Sequence, residues 1–159
     1  LGNGFPIKKK SACIIGGGIG IPPMLELAKQ LDCEKNIVLG YRDELFLYEE
    51  FQKYGNVYAA TEDGSFGTKG NVLDAVLEHE IRADIIYACG PLPMLRALKA
   101  YAGEKNIECY VSLEERMACG IGACLGCVCK STKTDTHTNV RNKRICKEGP
   151  VFEAGEVNF

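Results

Sequence analysis

The residues with the most chemistry in their spacing are Cys119, Cys124, Cys127 and Cys146. Three of them stand in the run Cys119-Gly120-Ile121-Gly122-Ala123-Cys124-Leu125-Gly126-Cys127, a C-x4-C-x2-C pattern, and the fourth follows after a short insert. That is the plant-type spacing of thiolates around a [2Fe–2S] cluster. The short gaps let one tight loop wrap a cluster, and the interleaved glycines let backbone N–H groups turn toward sulfur. Such a cluster passes one electron at a time, so these residues point to a redox relay.

The remaining cysteines read differently. Cys129 forms C-x-C with Cys127 and in a strand would point the same way, but the four-ligand pattern is complete without it. Cys13, Cys33 and Cys109 fall in strand or helix-end patterns and read as packing residues. His79, on a polar helix end, and His137, in a hydrophilic stretch, are poor ligand candidates. Another use of the cysteines stays open: Cys124, Cys127, Cys129 and Cys146 as ligands of a zinc-stabilised interaction module. That reading leaves Cys119 and its Gly neighbours without a role.

A second set of residues suits a dinucleotide. Gly occupies four of the five positions in Gly16-Gly17-Gly18-Ile19-Gly20, between a strand pattern and a helix pattern opened by Pro22-Pro23. Backbone N–H groups and the helix dipole meet a diphosphate at such a turn, although the run is not G-x-G-x-x-G. A bare strand-to-helix turn needs fewer glycines. Cys89-Gly90-Pro91 ends another strand pattern, on the same rim of the sheet, and fits either contact with the reacting ring of a cofactor or simple packing. Thr61-Glu62-Asp63 follows a third strand there and fits ribose hydroxyls or a solvated turn. Arg42, after the second strand, suits either a 2′-phosphate or plain solvent. No residue reads as a catalytic acid, base or nucleophile.

These positions need a scaffold, and the apolar periodicity supplies one. Ser11–Ile15, Asn36–Tyr41, Val57–Thr61, Ile85–Cys89 and Glu108–Leu113 read as buried strands. Pro22–Gln30, Glu44–Tyr54, Asn71–Glu78 and Pro91–Gly103 read as the helices between them. The alternation predicts an α/β fold with an open, parallel, Rossmann-like sheet covered on both faces. After Leu113 the pattern breaks into a small Cys-rich iron–sulfur subdomain. There Val128–Lys133 and Val140–Cys146 suit a hairpin around Thr134–Asn139, and the stretch has too few apolar residues for a core of its own. The expected division is residues 1–10 as a linker remnant, 11–113 as a nucleotide-binding domain and 114–159 as the cluster subdomain. Lys130, Lys133, Arg141, Lys143, Arg144 and Lys147 suit a solvated hairpin or the docking of an acidic partner.

Bulk composition narrows the class. The chain has 159 residues, 25% of them charged, with a net charge of -2, which disfavours nucleic acid as the main partner. Its apolar runs are too short and broken for a membrane span. Nine cysteines, an odd number, with no secretory pattern at the start favour metal or redox chemistry in a reducing compartment, hence the cytoplasm.

The Gly16–Pro22 run, the Cys89-Gly90-Pro91 turn and the trailing cysteines together resemble the ferredoxin-NADP reductase superfamily. Within it, Leu113–Cys124 and Cys146-Lys147-Glu148-Gly149-Pro150-Val151-Phe152 are most similar to the electron-transfer subunits of class B dihydroorotate dehydrogenases. The resemblance covers essentially the whole chain. It implies a subunit of an NAD-dependent oxidoreductase in pyrimidine biosynthesis. Electrons would pass between NAD, an FAD held by this subunit and the [2Fe–2S] cluster, and on to an FMN-containing catalytic subunit in a heterotetramer. By the same match, residues 16–20 hold the dinucleotide phosphates, Cys89 and Gly90 lie beside the nicotinamide, and Cys119, Cys124, Cys127 and Cys146 ligate iron. The family's N-terminal flavin-binding barrel has no counterpart here, so the chain alone is expected neither to bind FAD tightly nor to oxidise NADH rapidly. A related alternative is the small flavoprotein subunit of an NADH-dependent ferredoxin:NADP oxidoreductase, which has Asp where Cys119 stands.

Overall fold

A computed structural model describes residues 2–134 and 139–159. Six strands arise in the first two thirds: β1 (Ala12–Gly17), β2 (Lys35–Tyr41), β3 (Asn56–Thr61), β4 (Thr68–Lys69), β5 (Ile85–Cys89) and β6 (Glu108–Ser112). The helices between them are α1 (Ile21–Gln30), α2 (Tyr48–Phe51), α3 (Val72–Glu78) and α4 (Leu92–Lys105). The tail adds β7 (Val128–Ser131), β8 (Asn142–Arg144), β9 (Val151–Glu153) and β10 (Val157–Asn158). The main sheet runs β4-β3-β2-β1-β5-β6-β9, and every pairing in it is parallel except β6 with β9. Ile, Ala and Cys dominate β1 and β5 because both faces of these strands are covered. Strand order reverses between β1 and β5, and the register Gly16↔Cys89 brings the turns after these strands side by side. An open α/β sheet binds ligands at such a switch point.

Two apolar layers flank the sheet. One packs Ile14, Ile37, Leu39, Tyr87 and Phe51 against Met24 and Leu27 of α1. The other packs Ile15, Val38, Ile86 and Val111 against Val76 of α3 and Leu95 and Leu98 of α4. Ile145, Phe152 and Val157 of the tail lie in this second layer. The tail's shortage of apolar residues is met by sharing the main core, and β9 extends the main sheet past β6. The expected hairpin forms over shorter spans, β7 antiparallel to β8, with β10 on the other side of β7. His137 lies outside the described residues.

One helix departs from expectation. Glu44–Tyr54 yields only the single turn Tyr48–Phe51. Tyr41 donates from its hydroxyl to Phe46 O at 2.8 Å and meets the Phe46 ring edge-on, and Leu47 takes a left-handed conformation with φ 59°. Tyr48 meets Phe66 edge-on. The aromatic residues that mimic a helical stripe are each drawn to a separate neighbour, and the chain cannot satisfy them from one helix.

The segment before β1 is tied to the sheet. Tyr87 donates to Pro6 O at 2.8 Å, Phe5 lies edge-on to Tyr87, and Glu108 receives both Lys8 and Lys10. Lys10 first, then Lys8, hold the Glu108 carboxyl down to about 2, against an ordinary value of 4.5. A depressed carboxyl contributes stability above its unfolded value, and that contribution is lost as pH falls from about 4.5 toward about 2. The group is partly solvated, so the contribution is about 1 kcal/mol. The difference in urea midpoint between Glu108→Gln and its parent should be widest at pH 6 and smaller at pH 3. Equal midpoints at pH 6 would show that the lysines contribute nothing.

Candidate functional site

At the switch point two turns touch. A Cβ on Gly20 would lie 2.2 Å from Cys89 O and 2.7 Å from Gly90 N, so only glycine lets the turn after β1 rest on the turn after β5. Gly18 has φ 53° with open space beyond its Cα. No side chain caps the start of α1, but Ile21 N–H already bonds Gly18 O and Pro22 and Pro23 carry no N–H, so an anion here is met by the N–H groups of the glycine turn.

Two clefts share Pro91. One, about 470 Å³, runs over the ends of β1, β2 and β3 and is lined by Gly17, Gly18, Arg42, Glu62, Asn71 and Met94. The other, about 720 Å³, lies toward the tail and is lined by Gly20, Cys89, Gly90, Ser112, Glu114 and Met117 among others, including Ile19. Burial pushes the Cys89 thiol up, partly opposed by a bond with Ser112, so it stands as a neutral, soft wall rather than a nucleophile.

Eight of the eleven residues singled out for a nucleotide therefore line a cleft: Gly17, Gly18, Ile19, Gly20, Glu62, Cys89, Gly90 and Pro91. The other three line neither cleft. Gly16 packs on Ile21 and Met24 inside β1. Thr61 is fully buried, its hydroxyl donating to Phe66 O at 2.8 Å. Asp63 accepts from Ser65 N at 3.0 Å, a bond that also lowers its carboxyl pKa. Asn71 and Met94 were not singled out, and neither were Ser112 and Glu114 at the end of β6. The signal was their place after a strand or at a helix start, on the same rim.

The four motif cysteines gather in two pairs. The thiols of Cys119 and Cys124 lie within hydrogen-bonding reach of one another, and Cys124 N donates to Cys119 Sγ at 3.4 Å. The thiols of Cys127 and Cys146 lie within hydrogen-bonding reach of one another, and Cys146 N donates to Cys127 Sγ at 3.4 Å. Gly126 N donates to Cys124 Sγ at 3.4 Å. Backbone N–H groups from Cys124 and Ile121 favour the thiolate of Cys119 and bring it down to about 6. Cys146 is pushed up, first by its bond with Cys127 and then by burial. Cys129 is half-buried beside the backbone of Lys143. Among the described residues, no three Cys, His, Asp or Glu side chains converge on one point as a single metal ion requires. Two thiol pairs in a loop lined with N–H groups fit a two-iron cluster, which takes two thiolates per iron. They fit a lone tetrahedral zinc poorly.

Residues 14–100 match the family described as the oxidoreductase NAD-binding domain, and residues 114–158 match the iron-sulfur cluster binding domain of dihydroorotate dehydrogenase B. The chain is 50% identical to the dihydroorotate dehydrogenase B (NAD(+)) electron transfer subunit of Geobacillus sp. (strain WCH70), over 99% of this chain and 62% of that protein. It is 49% identical to the electron transfer subunit of the same name from Caldanaerobacter subterraneus subsp. tengcongensis, over 99% of this chain and 64% of that protein. The chain thus spans about three fifths of the length of these relatives. Among solved structures, a chain of an NADH-dependent reduced ferredoxin-NADP oxidoreductase superposes with a TM-score of 0.86 at 31% identity, over 99% of this chain and 58% of that one.

Proposed function

The chain belongs to the oxidoreductase NAD-binding family and continues into the iron–sulfur cluster binding domain of dihydroorotate dehydrogenase B, and from that premise we propose that it is the NAD- and cluster-binding part of an electron-transfer subunit serving dihydroorotate oxidation. The observation that carries this reading is a shared wall. Glu114 to Met117 line the larger nucleotide cleft, and the chain runs from there straight into Cys119. The bound groups supply the redox chemistry: hydride exchange at nicotinamide, single electrons at the cluster, and a flavin, FAD in the whole subunit, to convert one into the other.

The chain's own residues do the rest. Backbone N–H groups of Gly17–Gly20 bind the dinucleotide phosphates, and Gly90 and Pro91 with Cys89 wall off the reacting ring. Cys119 and Cys124 hold one iron, Cys127 and Cys146 the other. Ile121, 74% exposed, and Leu125, 78% exposed, flank Cys124. An apolar surface of this kind on a cluster loop supports docking of an FMN-containing catalytic subunit, in a heterotetramer. Nine free cysteines suit the cytoplasm, and no helix among the described residues is long and apolar enough to cross a membrane.

Glu62 and Arg42 lie in the same cleft with opposite effects on a 2′-phosphate, and Asp63 is held by Ser65, so Glu62 is the carboxylate that disfavours the extra phosphate. NADH should bind tighter than NADPH, and Glu62→Gln should narrow the gap about fivefold, the equivalent of ~1 kcal/mol for a solvated charge. Reconstitution under nitrogen with iron and sulfide, followed by NADH and NADPH titrations, tests the whole reading. Two irons, two sulfides and NADH preference are expected. A colourless zinc protein, or tighter NADPH, would defeat it.

A further inference from the structure

Arg144, at the end of β8, reaches back to the cysteine loop. Its Nη1 donates to Gly122 O at 2.8 Å, and its Nε donates to Glu148 Oε1 and Oε2 at 3.1 and 3.2 Å. The other guanidinium nitrogen also pairs with Glu148, whose Oε2 accepts the Arg144 backbone N–H at 2.6 Å. The carboxylate therefore fixes the plane of the fork, and the remaining arm grips one carbonyl of the loop. Glu148 is itself held, because its N–H donates to Arg144 O at 2.8 Å and its carbonyl accepts Asn3 Nδ2 at 3.2 Å. Asn3 also brackets Val151, donating to its carbonyl at 2.9 Å and accepting its N–H at 3.0 Å.

The gripped carbonyl belongs to the Gly122–Ala123 peptide. In a trans peptide the C=O and N–H point to opposite sides. With the oxygen on Arg144, the Ala123 N–H faces away from the guanidinium, and the next N–H along the loop, that of Cys124, donates to Cys119 Sγ at 3.4 Å. Gly122 takes φ 79°, and a Cβ there would meet Lys147 Cδ at 2.7 Å, so the peptide is also covered from the side of the 144–148 turn.

We infer that Arg144 is a positioning residue that sets the reduction potential of the cluster, by fixing the loop at Gly122 so that the Cys124 N–H, two residues on, stays directed at the Cys119 sulfur. The inference rests on the cluster reading above. Hydrogen bonds to ligand sulfur favour the more negative, reduced cluster and so raise its potential. The guanidinium charge acts in the same direction, and the lysine variant separates the two contributions.

The test is a potentiometric titration of the full chain, reconstituted without oxygen, with dithionite supplying one electron per cluster through mediator dyes. Arg144→Gln should shift the reduction equilibrium about tenfold toward the oxidised form, about 59 mV for one electron. Arg144→Lys keeps the charge but not the fork, and should shift it in the same direction by a comparable factor. If Arg144→Gln fails to take up iron, the lysine variant decides. A potential unchanged in Arg144→Lys overturns the positioning role, whatever the glutamine variant does. An unmodified chain that takes up no cluster would overturn the cluster reading beneath it instead.

Discussion

Single replacement of Cys119, Cys124, Cys127 or Cys146 by Ser should abolish or strongly alter the visible spectrum of the reconstituted chain, while Cys129→Ser should leave it intact. A serine hydroxyl is a harder, far less acidic donor than a thiol and replaces thiolate poorly around iron and sulfide. The two pairs make each thiol the partner of another, so on the proposed ligation losing one would leave an iron with a single protein ligand. Cys129 lies beside the Lys143 backbone instead. Global stability should fall much less than the spectrum, because Ile145, Phe152 and Val157 keep the tail in the main core without help from iron. Absorption spectra and urea midpoints on the five variants check both halves. A normal spectrum in Cys146→Ser, together with a bleached Cys129→Ser, would reassign the fourth ligand.

Gly20→Ala should be the most damaging change on the nucleotide side. The new methyl would sit 2.2 Å from Cys89 O, against backbone on both sides of the switch point, where nothing flexible can yield. Separating the turns after β1 and β5 disturbs both clefts at once. We expect a loss of about 3 kcal/mol in stability and at least roughly tenfold in NADH affinity, which follows from about 1.4 kcal/mol of lost binding. Gly18→Ala is the control. It meets no neighbour, and its φ of 53° costs an L residue only about 1 to 2 kcal/mol. Thermal unfolding and NADH titration of the pair separate contact from conformation. Equal effects at the two positions would mean that the crossing of the turns yields more easily than its geometry implies.

Much of this was legible without coordinates. Buried parallel strands write themselves as runs of Val, Ile and Ala, and Ile85–Cys89 ends where the sequence pattern ends. Cysteine spacing is legible for a different reason, since a cluster loop is local and its glycines and thiols lie within a few residues of one another. The aromatic stretch around Phe46 was not legible as a one-turn helix. Its periodicity is helical, but its partners, Tyr41 and Phe66, come from elsewhere in the chain.

The sequence by itself determined most of the strand and helix alternation, the glycine turn and the Cys119, Cys124 and Cys127 loop, because each rests on neighbours along the chain. Only the tertiary structure decided which rim residues face a cleft. Thr61 and Asp63 turn away to hold their own loop while Glu62 between them faces the cleft, an outcome fixed by the hydroxyl bond to Phe66 and the Ser65 cap. It alone brought Asn3 to the Glu148 and Val151 backbone and Arg144 to the cysteine loop. Those contacts join residues far apart in sequence, and no local pattern encodes a pairing whose partners meet only when the sheet has assembled.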